Sequence, residues 1–366
     1  VCSSDLLARA DVRDAYSEGV LILAEALEGE LLLYTRVGDV FAMGCGRRAD
    51  RLTAQAAGFR IGYPNSGRRE HYTEIGSIRA INNLGPGVVI GGQFTRIGSV
   101  HSQGNGGEDV YQQQGDLQVG ELTCEDGHGL VLDGLTSPQI GRLTARRNAG
   151  TGVRLRGTTR AKIERLRAYQ NTMLGVQFVE GSTDNEIDWI EVRDNGSARP
   201  AGERVQISCA ADSPNNALWG GRIVGQGEAV GGEFVAPTHL RDVTFEGFRA
   251  VVPPIAASPA ALAGSRWERL RGWGLSRGTN LEGNPYGPTP VPVHATPVTV
   301  GPFRVRVHVT ERGGAVLQGL NVTRVGGVTT DYIQAAPNVR TLELEPGDVL
   351  NPYWAGGTVT WFWEIN

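Results

Sequence analysis

"IGSIRAINNLGPGVVI", residues 75–90, decides the fold, because the chain repeats it. Residues 97–112 read "IGSVHSQGNGGEDVYQ" and residues 119–132 read "VGELTCEDGHGLVL". Then come "IGRLTARRNAGTGVRL" (140–155), "IERLRAYQNTMLGVQF" (163–178) and "IDWIEVRDNGS" (187–197). The starts lie 22, 22, 21, 23 and 24 residues apart. Three residues into each unit stands an aliphatic: Ile78, Val100, Leu122, Leu143, Leu166, Ile190. A second β-rich stretch follows near Val88, Val110, Leu130, Val153 and Val176; in the last unit an insertion delays it to Val205. Self-similarity at such a period marks a repeat architecture, in which one unit cannot bury its own apolar face and stacked units can.

The column eight residues after each start is sharper still. It holds Asn83, Asn105, Gly127, Asn148, Asn171 and Asn195. Asn tolerates the left-handed backbone region, so the expectation is an Asn at each turn. Stacked amides can hydrogen-bond from one coil to the next.

These units resemble the right-handed parallel β-helix of the pectate-lyase-like superfamily, whose members include pectate lyases, polygalacturonases, alginate epimerases and phage tailspikes. The resemblance covers residues 73–212 strongly. It runs on to about 275 through "LWGGRIVGQG" (218–227), "LRDVTFEGFRA" (240–250) and "RWERLRGWG" (266–274). It implies an all-β rod of about nine coils over residues 73–282, roughly 40 Å long at the usual strand spacing. It implies little about chemistry, which resides in sites grafted onto a fold.

Composition agrees with many turns: 52 of 366 residues are Gly, about twice the usual share. The net charge of −4 argues against a nucleic-acid partner. No apolar run approaches the ~18 residues of a membrane span, so no membrane insertion is expected. The opening "VCSSDL" back-translates to GTG TGC TCT TCC GAT CTN, the end of a common sequencing adapter. Residues 1–6 are therefore expected to be an artefact without ordered contacts. Cys45, Cys124 and Cys209 lack metal-ligand spacing and read as buried thiols.

Residues 7–72 lack the quoted repeat and are expected to cap the open end of the rod, with a short amphipathic helix and then strands in "VRDAYSEGVLILAEALEGELLLY" (12–34). Residues 283–297, "GNPYGPTPVPVHATP", read as an extended linker. After it, "FRVRVHV", "GAVLQGLNV", "RTLELEPGD" and "GTVTWFWEIN" predict a small β-sandwich over 298–366. Tyr353, Trp354, Trp361 and Trp363 fall there, either as core or as a stacking platform for sugar.

With positions +3 and +5 of each unit facing in, +2, +4 and +6 face out. Position +4 carries Arg79, His101, Thr123, Thr144, Arg167 and Glu191; +6 carries Ile81, Gln103, Glu125, Arg146, Tyr169 and Arg193. The turn position +7 carries Asn82, Gly104, Asp126, Arg147, Gln170 and Asp194. The outward column of the second strand is blander: Val89, Tyr111, Val131, Arg154, Gln177, Gln206. The first-strand face is therefore the expected site. Glu125, Asp126, His101 and Tyr169 are its candidate catalytic residues, and Arg146, Arg167, Arg193 and Thr123 its candidate substrate-binding residues. A hydrolase needs two carboxylates about 5–9.5 Å apart, which Glu125 and Asp126 with Glu108 or Asp109 would supply. A lyase needs a neutralised carboxylate on the substrate and a base such as His101 or Tyr169. "EDGHG" (125–129) is similar to the Gly-His-Gly of polygalacturonases, but their Asn-Thr-Asp, Asp-Asp and Arg-Ile-Lys companions are missing.

The resemblance implies a phage-tailspike-type protein, extracellular or virion-associated, that binds and cleaves a polysaccharide, uronate-containing if the Arg residues meet carboxylates. A homotrimer is the expected assembly. No cofactor or metal is expected, since no Ca²⁺ cage stands out. Two alternatives keep the fold: a non-catalytic structural or receptor-binding fibre, and a secreted polysaccharide lyase or epimerase.

Overall fold

The computed structural model describes residues 71–248 apart from short gaps at 92–93, 114, 201–203 and 228–229. It also describes residues 4–15, 19–22, 33–45 and 57–61, and strand segments between 255 and 365. Among them every regular element is a strand. Two parallel sheets make the rod, one of 15 strands and one of 10. Each coil contributes a long strand to the first sheet, turns, and contributes a short strand to the second.

The repeat columns become ladder rungs. Ile75 pairs with Ile97, Ile97 with Val119, and Ile140 with both Val119 and Ile163. Ile78, Val100, Leu122, Leu143, Leu166 and Ile190 stack three residues further along the same strands, all buried. Their apolar surface, with Val88, Val110, Leu130, Val153 and Val176 opposite, fills the rod. Gln112 interrupts the short-strand interior: it is wholly buried between Ile90 and Leu132, and neither amide atom has a partner.

The Asn column forms a buried amide ladder. Asn83 Nδ2 donates to Asn105 Oδ1 at 2.9 Å, Asn148 to Asn171 at 2.9 Å, and Asn171 to Asn195 at 2.8 Å. Each acceptor oxygen also takes the backbone N–H of the Asn one coil below. The ladder closes on Gln206 Oε1, which accepts from Asn195 at 2.9 Å. Gln206 is thus interior, and Ser208 takes the outward place opposite Gln177 that the spacing assigned to Gln206. Position +8 is also not the left-handed residue. That is the preceding position, where Asn82, Gly104, Asp126, Arg147, Gln170 and Asp194 have φ between 52° and 65°. The turn bends at +7 so that the +8 side chain can point inward.

The missing Asn at Gly127 is filled by Asp109. A Cβ on Gly127 would lie 2.4 Å from its carboxylate. Asn105 Nδ2, Gly129 N–H and the Ser102 hydroxyl donate to that carboxylate at 3.2, 3.3 and 3.3 Å. Burial nevertheless dominates and raises the Asp109 pKa to about 7. The expected pairing of Asp109 with Glu125 or Asp126 as a hydrolytic acid pair does not form, because its side chain points into the rod.

The rod begins before the quoted repeat. Ser4–Arg13 pairs with Leu33–Met43, and that strand with His71–Ile81, all parallel. Val20–Ile22 and Phe59–Ile61 lead the second sheet. The region expected to cap the rod therefore carries further rungs, and the described part of the expected helix, residues 12–15, 19–22 and 33–34, contains no helical residue. Ser4, Asp5 and Leu6, expected to make no ordered contacts, pair with Tyr34, Thr35 and Arg36. Cys45, Cys124 and Cys209 are buried free thiols.

Residues 283–294 of the expected linker lie outside the described residues. Beyond them stand two antiparallel sheets. Val305–Arg312 lies between Val339–Leu344 and Thr358–Ile365; Val349–Ala355 and Val316–Thr323 centre a sheet of four. Leu320, Val322, Leu342, Leu344 and Leu350 are buried there. Tyr353 and Trp354 are half-buried, and the side chains of Trp361 and Trp363 lie outside the described residues.

Candidate functional site

The outward face of the long strands is built by the same registers. Position +6 reads Gln103, Glu125, Arg146, Tyr169, Arg193 on five adjacent rungs. Position +4 reads His101, Thr123, Thr144, Arg167, Glu191 beside it. Rungs in a sheet lie about 4.8 Å apart, close enough for side chains in one column to bond across coils.

Along the +6 column they do so from Glu125 to Tyr169. The Glu125 side chain is only 5% exposed, and Arg146 donates to it at 2.6 Å. Arg147 also bonds it, and reaches Asp126 through Nε at 2.8 Å. Gln103 donates to Asp126 at 3.4 Å. Arg146 continues upward to the Tyr169 hydroxyl at 3.3 Å, and the Arg193 guanidinium lies 5.1 Å from the Tyr169 ring centre. Higher up, Glu191 is held by Arg167 at 3.3 Å and Arg222 at 2.6 Å. Arg165 and Arg167 lie over the Trp189 ring at 4.4 and 5.9 Å.

The structure therefore brings Glu125, Asp126, Arg146 and Tyr169 into one bonded strip and adds Arg193 at its upper end. His101 and Thr123 lie half-buried on the adjacent column with no bond to that strip. Arg167 belongs to a second group around Glu191. Arg147 completes the lower group and was not among the expected site residues. Its place at the left-handed turn position next to Arg146 was the available signal, because that geometry turns two consecutive Arg side chains to the same face. Asp126 occupies the equivalent turn position one coil below and stays accessible.

Chemically, the strip presents a carboxylate neutralised by two guanidiniums, a second accessible carboxylate, a phenol and a stacked Arg. His128 of the "EDGHG" stretch is exposed in a turn, with its backbone N–H on Gly107. Among the described residues no cluster of three or more His, Cys, Asp or Glu is placed to hold a metal. No helix of the described residues is long and apolar enough to cross a membrane.

A second cluster lies on the short-strand sheet. Tyr111 donates to Asp133 at 2.9 Å, and Arg156 bonds both. Burial first, and then the hydrogen bond to Asp133, raise the Tyr111 pKa to about 12. Arg60, Val89 and Val131 on the outward side of that sheet are buried, while Arg154, Gln177 and Ser208 further along it are half-buried.

No known family model matches the chain, and no curated protein matches it. Among solved structures it is similar to a tailspike protein, gp49, from the Acinetobacter baumannii bacteriophage Fri1, a capsular polysaccharide depolymerase. The identity is 9%, over 94% of this chain and 82% of that chain, with a TM-score of 0.19. So low a score carries no argument about function. The parallel rod rests on its own ladder.

Proposed function

We propose that this protein binds an extracellular polysaccharide along the long-strand face and cleaves it there. The observation that carries this reading is the strip Gln103–Glu125–Arg146–Tyr169–Arg193 with Asp126 at its side. It is a line of polar and aromatic groups, one per rung, already held in place by its own bonds. Pre-organisation of this kind lowers the ordering cost of binding an extended polymer. Asp126 is the accessible carboxylate for acid–base work, with Glu125, Tyr169 and His101 as its companions. Arg146, Arg167, Arg193 and Thr123 are the substrate-binding groups, and a uronate-containing chain suits the Arg residues. The setting is extracellular or virion-associated, and the assembly a homotrimer, which a light-scattering mass would test.

The deciding experiment incubates the purified chain with a panel of bacterial capsules and uronate polymers. Product length and the absorbance of new unsaturated ends are followed. Asp126→Asn should lower turnover at least ~10²-fold, the usual share of general acid–base catalysis, with the thermal midpoint preserved because Asp126 is exposed. Glu125→Gln should do the same at some cost in stability.

A second reading is favoured by one observation: Glu125 is buried and doubly paired, as in a structural ion-pair network. On that reading the rod is a non-catalytic receptor-binding fibre. It then binds a glycan in the panel and shortens none.

A further inference from the structure

Five successive long strands, from Leu33–Met43 to Gln139–Arg146, leave one position out of the ladder pairing and bend there, and at that position the chain places glycine. Gly38, Gly76, Gly98, Gly120 and Gly141 stack on successive rungs. A Cβ on any of the last four would lie 2.4–2.6 Å from the carbonyl oxygen of the glycine beneath. The bend is therefore a trough with a bare backbone floor. Two cavities, of about 460 and 520 Å³, occupy it and share Arg96 and Gly98, so they form one groove along the rod. Glu164 replaces glycine on the next rung and ends it.

One wall reads Arg36, Glu74, Arg96, Gln118, Gln139, Lys162 in ladder register. Arg36 and Glu74 pair at 2.7 Å. Arg96, Gln118, Gln139 and Lys162 are exposed, and among the described residues their side chains have no hydrogen bond or ion pair. That is the reverse of the Glu125 strip, where the charges are satisfied internally. Here two cations stand three rungs, about 14 Å, apart with an amide on each rung between them.

We infer that this groove is a second glycan site, holding an extended acidic polysaccharide whose carboxylates are separated by neutral sugars. The inference rests on the polysaccharide-binding reading above and adds a place and a charge pattern. An extended pyranose chain advances by nearly one rung per sugar, so Gln118 and Gln139 meet hydroxyls while Arg96 and Lys162 meet carboxylates. A nucleic acid is a poor match, since its charges come every ~1.7 Å of duplex and Glu74 and Glu164 would repel them. Arg36, Glu74, Arg96, Gln118, Gln139 and Lys162 along this wall give a peptide's apolar side chains no apolar side chain to pack on.

The test uses the full chain in calorimetric titration against three probes: acidic oligosaccharides with one uronate in every three sugars, oligogalacturonate with one on every sugar, and neutral dextran oligosaccharides. The oligosaccharide with a uronate on every third sugar should bind tightest and weaken as salt rises. The double variant Arg96→Glu/Lys162→Glu should lose at least about tenfold in affinity, the equivalent of one charge-assisted hydrogen bond. Its thermal midpoint should not move. Arg154→Ala, on the other sheet, should bind like the parent chain. Binding of the every-third-sugar uronate no better than dextran, or no binding of any probe, overturns the groove. So does an unchanged double variant. If binding then falls in Asp126→Asn or Arg193→Ala instead, the polysaccharide reading stands and only the groove is lost. The capsule panel decides that reading separately.

Discussion

On five successive long strands the rod bends at a glycine as well as at the turn that follows, and the two bends are built oppositely. At the Asn turn the backbone groups are capped by buried amides, and the side chains bond to each other from coil to coil. At the glycine bend the floor carries no side chain and the wall from Arg96 to Lys162 is unpaired. The first arrangement supports stability, because each donor inside the rod needs an acceptor that water cannot supply. The second contributes little to stability and leaves polar groups free for something outside. In a rod of equal coils, a bonded strip presents its groups already ordered, whereas an unpaired wall leaves its charges for a ligand to satisfy.

The contrast is easiest to break at the ladder. Asn148 accepts from Gly127 N–H and donates to Asn171 and the Cys124 carbonyl. Asn148→Ala should cost on the order of 3 kcal/mol by orphaning buried groups, measured by denaturant unfolding. Asn83→Ala should cost a similar amount. Its oxygen accepts from Cys45 N–H at 3.0 Å, because rungs continue beneath it; a negligible loss at both positions would make the ladder ornamental.

The gap in the ladder comes next. Asp109 has its pKa raised to about 7 by burial, against about 3.9 in an unfolded chain. Between those values the folded state holds a proton that the unfolded state has released. Stability therefore falls as pH rises through this window and levels off above pH 7. The change from pH 5 to pH 8 should be about 2–3 kcal/mol by linkage. Asp109→Asn should flatten it, and a parent chain whose midpoint is unchanged over this range would mean that Asp109 is solvated.

A smaller effect sharpens the turn itself. Gln170 holds φ 59° and is exposed, a conformation that glycine adopts without steric cost. Gln170→Gly should stabilise the rod by up to about 1 kcal/mol. A loss of stability would mean that the turn's stiffness matters more than its strain. Smallest of all, Lys162→Ala at the glycine bend should stay within about 0.5 kcal/mol of the parent chain, as surface changes usually do. A large loss there would erase the distinction between the two bends.

Much of this was open to reading. The aliphatic columns and the Asn column fall on real rungs, because each residue's neighbour in space lies one period away in sequence. The rungs before Ile75 were missed although "VGDVFAMGC" (37–45) has the same pattern of Val, Gly, Val and Ala. From Val37 to Ile75 is 38 residues, and Val37 pairs directly with Ile75; the longer coil hides the period without disturbing the register. The left-handed residue was placed one position late, since Asn is common both at such turns and just after them. Gln206 was placed outward because the insertion after Asn195 shifts the count by two.

By itself, then, the sequence determined the stacked parallel coil, its inward columns and the amide ladder. These follow from local periodicity and from the need to bury apolar faces and pair buried amides. Only the tertiary structure decided which charges remain free. Glu125, Arg146, Arg96 and Lys162 look alike as outward polar residues in a column list. Whether one guanidinium reaches a carboxylate on the next rung depends on side-chain direction at each bend, and so does the groove above the glycines. Both are set by the three-dimensional path of the coil, which no single column records.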